Sequence, residues 1–294
     1  MKRKRQLDDF CVFILSHENP YDVRTLKTLE RCNYTGRWYI VLDSEDRKIE
    51  HYKHNFGEEH VLIFSKDEVA KKFDEMDIEG NRGVVVYARN ACFDLAEKVG
   101  VRYFCELDDD YLEFRFRFAV DNQLRGCWVK DIDAVFSAMV DLLNSSDNIY
   151  SVAMAQMGDF IGGYYGSRMT KFRKDGLLRK AMNSFVCDVE KPFVFHGRIN
   201  EDVNTYCLDG SRGKLFFTFL DVALNQIDTQ QRKQATGMTE AYSEKGTYNK
   251  SFYTVMCCPS FVKINMLMSL HPRIHHYVYW ENAVPKIISD KWRK

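Results

Sequence analysis

Residues 103–110 read YFCELDDD, so an apolar run leads directly into three consecutive aspartates. The apolar part is typical of a buried strand. Adjacent carboxylates repel one another and must be solvated or paired, which makes them costly at the end of such a strand. An exposed acidic turn is the commoner explanation for three acidic residues in isolation. A divalent cation is the alternative, because Mg²⁺ and Mn²⁺ prefer carboxylate oxygens and keep coordination positions for substrate phosphates.

The spacing of the aspartates favours the metal. Residues two apart in a strand face the same side, so Asp108 and Asp110 would address one cation. Asp109 would then point elsewhere and reach a ribose hydroxyl. The rest of the chain decides between this site and an acidic turn.

The composition indicates a folded protein whose net charge would not attract a highly charged partner. Of the 294 residues, 45% are hydrophobic and 14% aromatic, and 42 basic residues balance 42 acidic ones. Any basic surface is therefore local. Five prolines, with no low-complexity linker and no internal repeat, favour one compact domain.

The cysteines and the N-terminus predict a cytoplasmic protein. Nine cysteines include no Cys-x-x-Cys pair, which argues against a disulfide framework and a zinc site. The apolar run 10–15, after the basic residues 2–5, is too short for a signal peptide or a membrane span. We expect a first core strand there, reduced thiols and no membrane partner.

The first third of the chain alternates between strand and helix patterns. Continuous apolar runs at 10–15 and 38–42 are typical of buried strands, residues 23–32 have helical spacing, and a third strand is predicted at 61–64. This order predicts an α/β fold with an open, mostly parallel sheet flanked by helices. Ligands bind at the carboxyl ends of such strands. We therefore expect the polar groups that follow three strands, residues 16–19, Asp43 and residues 108–110, at one rim.

Later segments predict an antiparallel extension of the sheet. Phe114, Phe116 and Phe118 alternate with Arg115 and Arg117, as in a half-exposed strand. Helices are predicted at 91–98 and 132–143, strands at 150–154 and 215–220, core elements at 251–256 and 261–266, and a polar lid at 226–248.

Three further clusters have ordinary explanations beside functional ones. The basic cluster 168–180 is either a solvated face or a groove for an acidic acceptor. The acidic pair Glu201 and Asp202, at a predicted helix start, is either a cap or catalytic. His275 and His276 lie next to each other in a predicted strand, so at most one would join a metal site, and lone histidines are usually structural.

The ordered set of motifs resembles a glycosyltransferase of the GT-A fold. The matching features are the strand into residues 16–20, the segment 88–91, the Asp-x-Asp signature at 106–110 and the later pair Glu201 and Asp202. Shorter motifs resemble the TET-associated glycosyltransferase family, whose phage members add sugars to 5-hydroxymethylpyrimidines in DNA. They lie at 158–163, 246–253, 258–260, 273–276 and 284–287.

This resemblance implies a metal and donor-diphosphate site at Asp108 and Asp110, with Asp109 near the donor ribose. His276, or failing that His275, would complete the metal shell. The implied metal is Mn²⁺ or Mg²⁺ and the implied donor a UDP-sugar.

The remaining roles follow from the same resemblance. Asp202 would be the general base, with Glu201 as its neighbour, and inversion would result from in-line attack, although a retaining arrangement stays open. The other residues implied around the nucleotide sugar are Ser16, Asp43, Arg89, Gly162 and Gly163. The two glycines are equally well explained by a turn.

The implied function is transfer of a sugar to the hydroxymethyl group of 5-hydroxymethylcytosine or a related pyrimidine in phage DNA. The single domain 1–294 would divide into a nucleotide-binding half, 1–112, and an acceptor and catalytic half, 113–294. The best candidates for DNA phosphate contacts are the cluster 168–180 and then Arg115 and Arg117. Rival functions are a protein or glycan glycosyltransferase, a Mg²⁺-dependent nucleotidyltransferase and a non-catalytic nucleic-acid-binding module.

Overall fold

The apolar runs of the sequence form the strands of a nine-stranded sheet flanked by helices in the computed structural model of the protein. The structure describes residues 6–77, 82–121, 123–160, 170, 181–226, 250–268 and 272–283. The strands of the large sheet are β1 (Phe10–Leu15), β2 (Arg37–Asp43), β3 (Val61–Phe64), β4 (Tyr103–Asp108), β5 (Tyr111–Val120), β6 (Gln123–Trp128), β7 (Ile149–Gln156), β8 (Ser184–Asp188) and β9 (Leu215–Gln226). A small antiparallel sheet pairs β10 (Val262–Leu267) with β11 (Arg273–Val278).

Helices cover both faces of the large sheet. They are α1 (Arg24–Arg31), α2 (Ile49–Phe56), α3 (Lys66–Ala70), α4 (Val86–Lys98), α5 (Ile132–Asn144), α6 (Glu201–Ser211), α7 (residues 250–257) and α8 (Trp280–Ala283). Within the described residues, none of them combines the length and the apolar character needed to cross a bilayer.

Strand order explains how distant polar residues meet. The sheet runs β3-β2-β1-β4-β8-β7-β9-β5-β6, and the first four strands are mutually parallel. Leu15 lies in register with both Val41 and Asp108, so these strands end at one edge. The predicted α/β class, with a parallel sheet flanked by helices, is confirmed. The predicted antiparallel extension is also confirmed, because β5 pairs antiparallel with β6 and β9.

The core lies on both faces of the sheet, which accounts for the unbroken apolar runs. Alternate residues of β1 point to opposite sides: Phe10 belongs to one core with Phe136 of α5, and Phe13 belongs to the other with Tyr87 of α4. All six β1 side chains are buried. A strand covered on both faces needs apolar residues at every position.

Two local expectations were wrong. The helix predicted from Ala91 begins at Val86, so Arg89 lies inside α4. Strand β4 ends at Asp108, and residues 109–110 form the turn before β5. The rule that residues two apart in a strand face the same side therefore does not apply to Asp108 and Asp110, because a backbone turn lies between them.

Two threonines of α1 hold this acidic turn. Thr25 donates its amide to the Asp109 carbonyl at 3.1 Å and its hydroxyl to the Asp108 carbonyl, and it accepts from the Tyr111 amide at 2.9 Å. Thr28 donates its hydroxyl to the Tyr111 carbonyl at 2.9 Å. Both threonines are buried. The position of the aspartates thus depends on side chains more than eighty residues away.

We expect Thr28→Val to lower the free energy of unfolding by about 1–3 kcal/mol, because a buried carbonyl loses its donor. Urea denaturation measures the change. Lys27→Ala, an exposed change on the same helix, is the matched control and should stay within about 0.5 kcal/mol of wild type. Equal effects of the two variants would contradict the role of Thr28.

Candidate active site

A cavity of about 380 Å³ opens at the edge where the parallel strands end. The predicted site residues within the described chain all line it: Ser16, Asp43, Arg89, Asp108, Asp109, Asp110, Glu201, Asp202, His275 and His276. Gly162 and Gly163 lie outside the described residues, as does the basic cluster 168–180 apart from Thr170. The predicted lid is described only at Gln226, the last residue of β9.

The Arg89 guanidinium is the buried cation of this cavity. Its Nε lies 3.1 Å from Glu201 Oε1, its Nη2 3.5 Å from Asp108 Oδ1 and its Nη1 3.9 Å from Glu106 Oε2. The side chain is 3% exposed and stacks over Phe185 at 4.8 Å from the ring centroid. Burial opposes its charge, but the carboxylates outweigh burial and raise the pKa of Arg89. Because α4 already begins at Val86, Arg89 lies within the helix, and its side chain contacts carboxylates of both β4 and α6.

Two of the carboxyl groups around Arg89 are hard to ionise. Burial raises the pKa of Glu106 well above its usual range, against the opposing effect of Arg89. Burial also raises the pKa of Glu201 to about 7, again opposed by Arg89 and reinforced by Asp202. Low-dielectric surroundings disfavour a second and third negative charge beside one cation. Among the described residues, one guanidinium therefore faces the three carboxyl groups of Glu106, Asp108 and Glu201.

The acidic pair is fixed by the start of α6. Asn200 precedes the helix with φ 55°, in the left-handed region, and its side-chain amide donates to the Lys250 carbonyl at 2.9 Å and to Thr254 Oγ1 at 2.7 Å. The carboxylate of Asp202 accepts from the Val203 amide at 2.8 Å. Glu201 is buried, whereas Asp202 is partly exposed. The two carboxylates thus differ: Glu201 pairs inward with Arg89, and Asp202 meets the open cavity.

Asp109 is hydrogen-bonded to the end of β1. Its Oδ2 accepts from Ser16 Oγ at 2.6 Å. Tyr52 OH lies 2.7 Å from Ser16 Oγ and accepts from the Asn19 amide at 2.8 Å. Ser16 and Asp109, which were both expected near the nucleotide, are therefore joined in one network at the ends of β1 and β4.

Asp43 is held as a carboxylate at the end of β2. Lys66 Nζ lies 3.0 Å and His17 Nδ1 3.3 Å from its Oδ2. Burial favours the neutral acid, but the hydrogen bonds from His17 and Lys66 prevail and lower the pKa of Asp43 to about 2. The same hydrogen bond raises the pKa of His17, with Asp46 adding to the effect. An anion with fixed orientation results, suited to accept from a hydroxyl or an N–H of a ligand.

The residues proposed for a metal suit a hard cation in type. Asp108 and Asp110 offer carboxylate oxygens, and His275 and His276, with ring centroids 4.3 Å apart, both lie at the cavity. No three His, Cys, Asp or Glu side chains among the described residues stand ready as a metal cluster. Mg²⁺ is usually held by one or two carboxylates together with substrate phosphates and waters. The donor set therefore fits a cation that binds with its nucleotide.

Several cavity residues were missed by sequence reasoning. They are Lys66, Asn183, Asn200, Gln226 and Lys250. Lys66 follows the end of β3 by two residues, so the rule that found Asp43 applies to it as well. The other positions follow from long-range packing, and no spacing in the sequence marks them.

Comparisons with known proteins come from a family model and from solved structures. The family model described as TET-Associated Glycosyltransferase matches residues 10–237. No curated protein sequence matches. Among solved structures, glucosyl-3-phosphoglycerate synthase from Mycobacterium tuberculosis with Mn²⁺, UDP and phosphoglyceric acid is 11% identical, with 92% of this chain and 86% of that chain covered and a TM-score of 0.44. The same enzyme with Mg²⁺ and UDP is also 11% identical, with 92% and 87% covered and a TM-score of 0.45.

We expect Arg89→Met to lower the free energy of unfolding by about 3–5 kcal/mol, because it leaves buried carboxyl groups without their cation. Urea denaturation measures the loss. Adding Glu106→Met should restore part of it, since one of those carboxyl groups is then gone. Arg47→Met, at a side chain 85% exposed, is the control and should cost less than about 1 kcal/mol. Strictly additive losses in the double variant would refute the coupling.

Proposed function

Since the chain belongs to the TET-associated glycosyltransferase family, and is thus a glycosyltransferase, we propose that it acts on modified DNA. In this proposal a sugar moves from a nucleotide-diphosphate sugar to the hydroxymethyl group of a modified pyrimidine, with 5-hydroxymethylcytosine as the first acceptor to test. The acceptor follows from the resemblance to the phage members of the family. The observation that carries the proposal is the single cavity shared by residues 108–110 and the pair Glu201 and Asp202.

The donor side of the cavity would be built by the first 112 residues. Asp108 and Asp110, with His276 or His275, would hold Mn²⁺ or Mg²⁺, which neutralises the departing diphosphate. We propose that Asp43, kept ionised by Lys66 and His17, accepts from the nucleotide base or its ribose. UDP is the nucleotide in the glucosyl-3-phosphoglycerate synthase structures, and UDP-sugars are the first donors to test.

Asp109 and Ser16 have a different part in this proposal. Their hydrogen bond at 2.6 Å closes the wall between β1 and β4. A ribose hydroxyl would compete for the Asp109 carboxylate, so Ser16 would share its acceptor with the ligand. This arrangement ties the nucleotide position to the acidic turn.

The acceptor side needs a base, and Asp202 is the carboxylate we assign to it. The hydroxymethyl oxygen attacks the anomeric carbon, its proton passes to Asp202, and the bond from that carbon to the diphosphate oxygen breaks. Nucleoside diphosphate leaves with the bonding electrons. In-line attack of this kind inverts the anomeric centre.

Glu201 supports the base without replacing it. Its carboxyl pairs with Arg89, which removes it from the substrate side, and its pKa of about 7 leaves a large fraction protonated near neutral pH. A partly neutral neighbour repels the Asp202 carboxylate less than a full anion would. We propose that Glu201 positions the first turn of α6 through Arg89.

Incubation of the protein with 5-hydroxymethylcytosine DNA, Mn²⁺ and a panel of nucleotide sugars tests this function. We expect a hexose-sized mass increase on the digested modified nucleoside and release of nucleoside diphosphate. Release of pyrophosphate would instead indicate a nucleotidyltransferase. DNA binding with no metal-dependent donor turnover would favour a non-catalytic module, and transfer to glycan or protein with none to DNA would overturn the acceptor.

Two aspartate variants separate metal binding from proton transfer. Asp202→Asn should lower kcat about 10²- to 10⁴-fold while UDP and Mn²⁺ still bind, because only the base is lost. Asp108→Asn should weaken joint binding of UDP and Mn²⁺, as calorimetry would show. Asp221→Asn, at an exposed aspartate of β9, is the control. If Asp202→Asn loses UDP binding, that residue belongs to the donor site.

A further inference from the structure

The hairpin β5–β6 forms an exposed edge of the large sheet. Strand β6 is the last strand of the sheet and pairs with β5. Trp128 of β6 is 47% exposed, and on the opposite face of the hairpin Phe118 and Val120 are 40% and 43% exposed. Large exposed apolar side chains beside an open strand edge mark a surface that binds a partner.

Two arginines hold the indole ring of Trp128. The guanidinium carbons of Arg31 and Arg115 lie 5.7 Å and 5.5 Å from the Trp128 ring centroid. Register places Arg115 directly opposite Trp128. Guanidinium groups beside an aromatic ring stabilise its orientation through cation–π attraction. The surface therefore presents an aromatic ring together with positive charge.

A second pair of like charges lies along β5. Arg115 and Arg117 are two residues apart, so their side chains lie on the same face of the strand. The buried Nε atoms of both lack a hydrogen-bond partner within the described residues. Burial lowers the pKa of Arg117, and the charge of Arg115 lowers it further. Glu113, on the same strand, lies 3.9 Å from Arg115 Nε. An anion between these guanidinium groups would relieve their repulsion.

Gly126 leaves room for Arg117. It lies opposite Arg117 in register, and a Cβ at this position would be 3.1 Å from Arg117 Nη1 and 2.8 Å from the Phe116 carbonyl oxygen. The guanidinium thus lies across the backbone of the edge strand, over a residue without a side chain. The same guanidinium lies 5.1 Å from the Phe160 ring centroid, and no ion pair within 4 Å joins it to a carboxylate of the described residues.

We infer that the hairpin surface, defined by Arg31, Arg115, Arg117 and Trp128, binds a DNA strand through its phosphates, with one base stacked on Trp128. This inference rests on the proposed function. Guanidinium groups match phosphate geometry, and base stacking on aromatic side chains is the usual second contact to single strands. The charge is complementary to a nucleic acid, which separates this occupant from a neutral protein strand.

The hairpin is also continuous with the cavity. Strand β5 begins at Tyr111, directly after the acidic turn, and Tyr111 pairs with Gln226, which lines the cavity. Its ten residues span about 33 Å at roughly 3.3 Å per residue. A strand of DNA along the hairpin would therefore run from the exposed edge to the mouth of the cavity. A target base beyond the stacked one would enter the cavity from this side.

Fluorescence anisotropy of a labelled single-stranded oligonucleotide with 5-hydroxymethylcytosine, titrated with the full chain without donor, tests the surface. Arg115→Gln with Arg117→Gln should weaken binding about tenfold or more and reduce the salt slope by about one unit per lost phosphate contact. Trp128→Ala should weaken single-strand binding about fivefold or more, within the range of one lost stacking contact, and leave the salt slope unchanged.

Arg125→Gln is the matched control, because Arg125 is exposed on the same hairpin but pairs with Phe118, on the opposite face. Its affinity for the oligonucleotide should stay within about twofold of wild type. UDP affinity in the same samples reports an intact cavity.

Three outcomes would overturn the inference. In the first, wild type glycosylates DNA while the double arginine variant binds the oligonucleotide with unchanged affinity and salt slope. In the second, Arg125→Gln weakens binding as much as the double variant. In the third, the double variant loses only self-association, measured by light scattering, which would assign the surface to a second copy of this chain. Wild type that binds DNA through this hairpin without transferring a sugar would refute the proposed function and not the surface.

Discussion

The arrangement of the cavity depends on one buried positive charge, the guanidinium of Arg89. It connects Asp108 at the end of β4 with Glu201 at the start of α6, and it neutralises part of the acidity of Glu106 beneath them. A single cation cannot balance three ionised carboxylates in a low-dielectric interior, which is why burial raises the pKa values of Glu106 and Glu201. Removing one member of such a group costs more than its pairwise contact, because the remaining charges stay buried. The same imbalance makes the cavity receptive to a divalent cation with its nucleotide.

The order of the strands in the sheet places the polar residues of the cavity close together. Parallel strands that end at one edge deliver Ser16, Asp43 and Asp108 to the same rim, and α6 adds Glu201 from the other half of the chain. Because α4 starts at Val86, Arg89 faces the sheet from within a helix whose neighbouring residues are buried. The positions of Ser16, Asp43 and Asp108 are therefore set by the core strands at whose ends they lie.

The sequence predicts the sheet and the rim far better than it predicts the contacts within them. The run 10–15 is apolar at every position because both faces of its strand are covered, and this pattern is local. The partners of Arg89 are not local: Glu106 and Glu201 lie far away in the chain, and an arginine in an amphipathic helix is ordinarily placed on the solvent side. The sequence predicts strand at Asp109, where the structure has a turn. The hydrogen bond that holds this turn comes from Thr25, more than eighty residues earlier in the chain. Patterns of period two and 3.6 carry no information about such contacts.

A net charge of zero conceals a separation of charge that the proposed reaction requires. Carboxylates crowd the cavity, so the phosphates of a DNA acceptor would be repelled from its mouth unless the donor's cation and other positive groups offset them. Screening limits this repulsion to about 8 Å at physiological ionic strength. Arg89 already lies 3.5 Å from Asp108, and further guanidinium groups placed inside that distance would compete with the metal for the oxygens of Asp108 and Asp110. Arg115 and Arg117 avoid this conflict because they sit farther out along β5, on a strand that leads back to the acidic turn. In the proposed function, this separation would let one chain hold a cation-dependent donor site and a polyanionic acceptor at once.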